Sequence, residues 1–172
     1  MLISTVAFLF SHFFAVVFFG AWIFAFIRIV FHRPLERDYI LDVLTCYLFI
    51  AVGLGAMWAG CFHVFAPDLA ASYIGWQNSP FQFEVGVGDI GMGAAAIMAG
   101  FASRDFRWAV LVYFTIFSWG AALGHIYQMW IERNFAPGNA GLVFWLDIVQ
   151  PLTLLILMML SHKQKGAENE QR

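Results

Sequence analysis

Apolar residues fall in long runs broken by short polar punctuation. The first run extends from Leu2 to Phe31 and stops at His32-Arg33-Pro34-Leu35-Glu36-Arg37-Asp38. The second covers residues 39–66 and ends at Pro67. Residues 68–78 are too short and too polar to span, and Tyr73, Ile74 and Trp76 predict a segment held at the membrane interface, with Asp68 as its helix N-cap. Ser79-Pro80-Phe81-Gln82 then reads as a helix start, with Ser at the cap, Pro at the first position and Gln at the third. It opens a third run over 80–102, and a fourth follows over 107–131. After Asn134-Phe135-Ala136-Pro137-Gly138-Asn139 a fifth run covers 140–161, and residues 162–172 form a polar tail predicted to be disordered.

Each run reaches the ~20 residues that carry a helix across a bilayer. The pattern predicts an all-α polytopic membrane protein: five transmembrane helices in one bundle, with a short interfacial segment between helices 2 and 3. Composition supports this, because 62% of the 172 residues are hydrophobic and 12% are charged, far from the balance of a soluble domain. The expected partner is the lipid bilayer, with a homo-oligomer or a larger membrane complex as further expectations. A net charge of −2 leaves no basic surface for nucleic acid. The first run has no Lys or Arg before it and no small-residue cleavage site after it, so it reads as a retained span. Cys46 and Cys61 stand on one predicted helix, roughly 22 Å apart along its axis, and cannot pair within one chain.

Cationic residues orient the bundle. With five spans, Arg28, Arg33, Arg37, Arg104, Arg107, Lys163, Lys165 and Arg172 share one side, and Arg133 stands on the other. This bias predicts a cell (inner) membrane protein with its amino terminus outside and its carboxyl terminus in the cytoplasm. Small residues suggest the packing. Gly86, Gly88, Gly91 and Gly93 would let neighbours approach the third helix on more than one side, and Gly120 with Gly124 forms a small-xxx-small pair beside His125.

Ionisable residues inside these runs are the candidate chemistry, since a charge in hydrocarbon is expensive and by default faces a protein interior. Laid out by helix rise, Glu84, Asp89, Asp147, His63 and His125 all fall in the outer half of the bilayer. His63 and Glu84 lie roughly 5–6 Å deep, and His125, Asp147 and Asp89 roughly 9–13 Å deep. Glu84 and Asp89 project about 140° apart on an ideal helix, so they should meet different neighbours. Asp89, His125 and Asp147 on three helices suit a transition metal such as Fe, Zn, Mn or Cu, with Glu84 and His63 in support. A structural polar knot is the alternative. His12, in the outer half of the first run, could complete the site or serve with His63 or His125 as a haem b ligand. Asp42, at the cytoplasmic end of the second run, reads as a solvated cap or a partner for Arg37.

Ile74-Gly75-Trp76-Gln77-Asn78-Ser79-Pro80-Phe81-Gln82-Phe83-Glu84-Val85-Gly86, followed by Asp89, resembles the core motif of a family of small prokaryotic membrane proteins of unknown function. Gly124-His125 with Gln128-Met129, the loop Asn134 to Gly141, and Asp147 ahead of Pro151 share the resemblance, which covers about residues 60–155. It implies a multi-span helical protein and names no substrate. Redox or hydrolytic chemistry at a metal, a proton-coupled carrier or channel, haem binding, and an accessory subunit of a larger complex are the functions these residues leave open.

Overall fold

The computed structural model describes the backbone of residues 2–31 and 39–170, with side chains over 12–31 and 39–161. The described residues are helical throughout their ordered elements. In chain order these are α1 (Leu2–Phe31), α2 (Tyr39–Cys46), a π-helical stretch (Tyr47–Leu54), α3 (Gly55–Phe65), α4 (Pro67–Ile74), α5 (Phe81–Ala99), α6 (Arg104–Ile131), α7 (Pro137–Ala140) and α8 (Leu142–Glu170). α2, the π-helical stretch and α3 follow one another without a break and make up the second apolar run.

Four helical segments among the described residues are long and apolar enough to cross a membrane: His12–Phe31, Tyr39–Phe65, Arg104–Ile131 and Pro137–Ser161. α5 is not one of them. Its 19 residues carry Gln82, Glu84, Asp89 and four glycines, which lower its hydropathy. The segments that do qualify expose large apolar side chains on their outer faces, among them Phe19, Phe26, Ile116 and Leu123. A soluble protein would not tolerate so continuous an apolar surface.

α5 nonetheless runs against the protein interior. A Cβ on Gly60 would fall 2.5 Å from the Gly86 carbonyl oxygen and 2.7 Å from the Ile90 nitrogen, so α3 and α5 touch backbone to backbone. Only glycine permits that approach. The contact is one-sided: a Cβ on Gly91 would meet nothing within 4 Å, and one on Gly88 only the Tyr113 hydroxyl at 4.0 Å. The expectation of close approach on several sides of this helix is corrected accordingly.

Below this crossing lies an apolar core of Leu44, Tyr47, Leu48, Val52, Met92, Ala96, Leu111, Leu154 and Met158. Arg107 closes it. Its guanidinium is buried and donates from Nε to the Ala99 carbonyl (2.9 Å) and from Nη2 to the Gly100 carbonyl (3.0 Å), covering the C-terminal carbonyls of α5. Thr45 Oγ1 also donates to Gly100 O, at 3.1 Å. Asp42 is buried rather than solvated, and Arg28 bonds it at 3.2 Å; Arg37 lies outside the described residues.

Three helix-end expectations also change. Pro67 takes the first position of α4, and the residue at its cap is Ala66, so Asp68 lies inside the first turn and accepts from Asn78 Nδ2 at 2.6 Å. At α5, Ser79 makes no side-chain cap, and the Gln82 side chain turns away to His63. The last helix runs on to Glu170 instead of ending near Ser161, since the Lys, Gln and Glu that follow are good helix formers.

Candidate functional site

Two short helices, α4 and α7, cover the end of the bundle opposite this apolar core. α4 stops at Gly75, whose φ of 76° is left-handed and whose Cβ, if present, would lie 2.7 Å from Asn134 Oδ1. Both conditions require glycine. The turn sends Trp76 back over the bundle. Asn134 fixes the facing loop: its Nδ2 donates to Ile74 O (2.9 Å) and Gly75 O (3.2 Å), and its Oδ1 accepts from Ala136 N (3.0 Å).

Asn139, at the end of α7, is completely buried. Its amide orientation follows from its partners. The indole Nε1 of Trp76 can only donate, and it lies 3.0 Å from Oδ1. The backbone carbonyls of Asn134 (2.9 Å) and His125 (3.3 Å) can only accept, and they face Nδ2. Oδ1 is therefore the carbonyl oxygen. His125 Nδ1 lies 2.8 Å from that same oxygen, so it must be the nitrogen that carries a proton. Trp76 also stacks obliquely on the imidazole, with ring centroids 5.6 Å apart.

With Nδ1 committed, His125 Nε2 is left facing Asp147 Oδ2 at 3.6 Å. A bare imidazole nitrogen and a carboxylate oxygen repel each other at that distance, so the facing atoms are compatible when one proton belongs to the pair. Pro151 lies one helical turn beyond Asp147 and lacks an N–H, which deprives the Asp147 carbonyl of its helical bond and loosens α8 there. The indole Nε1 of Trp119 reaches the neighbouring Ile148 carbonyl at 3.5 Å.

These groups border one cavity of about 580 Å³. Asp89 of α5, His125 of α6, Asp147 of α8 and His63 of α3 all line it, as do Gln82 and Gln150. His63 Nδ1 is hydrogen-bonded to Gln82 Oε1. Asp89 is 7% exposed and makes no hydrogen bond or ion pair among the described residues. Glu84 is exposed on another face of α5 and His12 is exposed on α1; neither lines the cavity. Among the described residues, no group of three His, Cys, Asp or Glu side chains is arranged to hold a metal ion.

The glycines of α6 have a different role from the one their spacing suggests. A Cβ on Gly120 would meet nothing within 4 Å, and one on Gly124 only the Trp76 ring at 3.9 Å. The pair makes no close helix contact; Gly120 opens onto the cavity instead. Asn139, Trp76, Gln82 and Gln150 are the polar lining or supporting residues that spacing arguments missed. The strings that carried the family resemblance contain three of them.

Long apolar helices around a mostly apolar chamber with a few ionisable groups define a multi-pass α-helical membrane protein with an internal site. The match to a family model places it more narrowly: over residues 11–167 the chain belongs to DUF6790, a family of unknown function. No curated protein and no solved structure matches it.

Proposed function

We propose that the chain binds a small organic molecule in this chamber, with the molecule's apolar body against the helices and its polar end at Asp89, His125 and Asp147. The observation that carries this is the committed imidazole. Asn139 holds Nδ1, so Nε2 is presented to Asp147 at 3.6 Å beside a ligand-sized space. The pair is arranged to give a proton to, or take one from, a group that enters there. The apolar core beneath the chamber favours a binding or processing site over a path through the protein.

In this reading α5 is the fifth crossing helix, with α3 packed against its glycine face while Gln82 and Asp89 stay buried and Glu84 is exposed. The cationic bias then puts α4 and α7 on the outer side of the cell membrane.

The test is native mass spectrometry of protein extracted gently from its own membrane, beside Gly120→Trp. Position 120 has room for a side chain that would enter the chamber. A small-molecule adduct on the wild type that is lost in a folded Gly120→Trp variant is the expected result. An adduct equally present in both variants, or none in either, overturns the reading.

A further inference from the structure

The chamber's charges say which molecules it accepts. We propose that its ligand is a lipophilic amine, held as an ammonium by Asp89 and Asp147; this rests on the chamber being a binding site, as argued above.

Two carboxylates line the cavity, and among the described residues no Lys or Arg does. The basic groups on its wall are His63 and His125, and each already has Nδ1 engaged, by Gln82 and by Asn139. An anionic headgroup, such as a fatty acid carboxylate or a lipid phosphate, would meet Asp89 and Asp147 without a fixed cation to compensate. A neutral alcohol could hydrogen-bond but would leave the acidic character of the site unanswered. An amine satisfies it in either state of the site. As an ammonium it pairs directly with a carboxylate, and as a free base it takes the proton of a carboxylic acid, giving the same ammonium–carboxylate pair.

Geometry adds a second, independent indication. Asp89 is nearly buried, is turned to the cavity, and has no hydrogen-bond or ion-pair partner among the described residues. A carboxyl group so placed is costly unless something pairs with it. Tyr73, Trp76, Phe114 and Phe117 contribute aromatic walls to the same chamber, surfaces that attract an ammonium and its alkyl substituents alike. The rest of the lining is largely aliphatic, which suits a hydrocarbon tail.

The experiment uses three chain-matched probes: decylamine, decanol and decanoate. Each is measured by equilibrium binding to the full chain in phosphatidylcholine nanodiscs, with protein-free discs subtracted for partitioning. Decylamine is expected to bind at least about tenfold more tightly than decanol, the scale of a desolvated charge pair, and decanoate not to bind. In Asp89→Asn and Asp147→Asn the decylamine advantage should shrink toward the decanol value while decanol binding stays. Should either variant fail to fold, the ranking of the three probes on the wild type decides the matter. Decanol equal to decylamine, or decanoate the tightest, refutes the amine assignment while leaving a binding chamber. No saturable binding of any probe, with no native adduct, removes both.

Discussion

Replacing Asn139 by Asp tests the arrangement most sharply, because the two residues share a shape and differ in one donor. The substitution keeps an oxygen where Trp76 Nε1 and His125 Nδ1 donate, at 3.0 and 2.8 Å. It replaces the Nδ2 group that bonds the Asn134 and His125 carbonyls at 2.9 and 3.3 Å with a second oxygen. Two buried acceptors then face a third. At about 1–3 kcal/mol for each stranded group, partly offset where Asp carries a proton, the net loss is about 2–4 kcal/mol. For a chain of this size that lowers the midpoint of thermal unfolding by about 5–15 °C. Unfolding followed by the loss of monodisperse protein in detergent measures it, with Asn139→Ala as a companion that also strands the indole and imidazole donors and should fall further. Nitrogen-15 spectra of His125 supply the second readout, with the proton expected on Nδ1 in neutral wild-type imidazole. A variant Asn139→Asp as stable as the wild type, or a wild-type imidazole protonated at Nε2 alone, would refute the assigned hydrogen-bond pattern.

Gly60→Val should cost at least about 1–3 kcal/mol and reduce the folded yield, since even its Cβ would lie 2.5 Å from the Gly86 carbonyl; the yield of monodisperse protein checks it. Arg107→Met should lose about 2–5 kcal/mol by uncovering the Ala99 and Gly100 carbonyls, and a thermal shift no larger than that of Arg104→Met would count against the cap. The five-span topology predicts that, with Cys46 and Cys61 replaced, a membrane-impermeant maleimide labels Gln77→Cys on intact cells and Asp105→Cys only after permeabilisation. Labelling of both from one side would mean that α5 does not cross.

How much was legible before the structure depended on whether a residue's role is periodic. Apolar runs located α1, the Tyr39–Phe65 rod, α6 and α8, because crossing a bilayer constrains every residue of a helix. Helical angle separated Glu84 from Asp89, and the structure leaves one exposed and the other buried. Gly120 and Gly124 misled, since small residues at that spacing look the same whether they admit a neighbouring helix or open onto a cavity. Asn139 was unreadable by spacing: a neutral amide in a short loop has no period, and its four bonds exist only once α4 and α7 close on α6. The π-helical stretch Tyr47–Leu54 contains no proline, and its Gly53 does not by itself announce a π-helix.

Arg28 and Arg107 connect the finished fold to its own biogenesis. During insertion an arginine acts as a topological signal, read while the chain is still being threaded into the bilayer. In the completed protein one of these guanidiniums is tied to Asp42 and the other is buried against the end of α5. In the proposed five-span topology the same two charges would serve twice, first as cues that retain a loop on one side and afterwards as internal struts. Substituting either would disturb two successive stages of the protein's life, and a fault in orientation could be told from a fault in stability only by assaying newly inserted chains apart from mature ones.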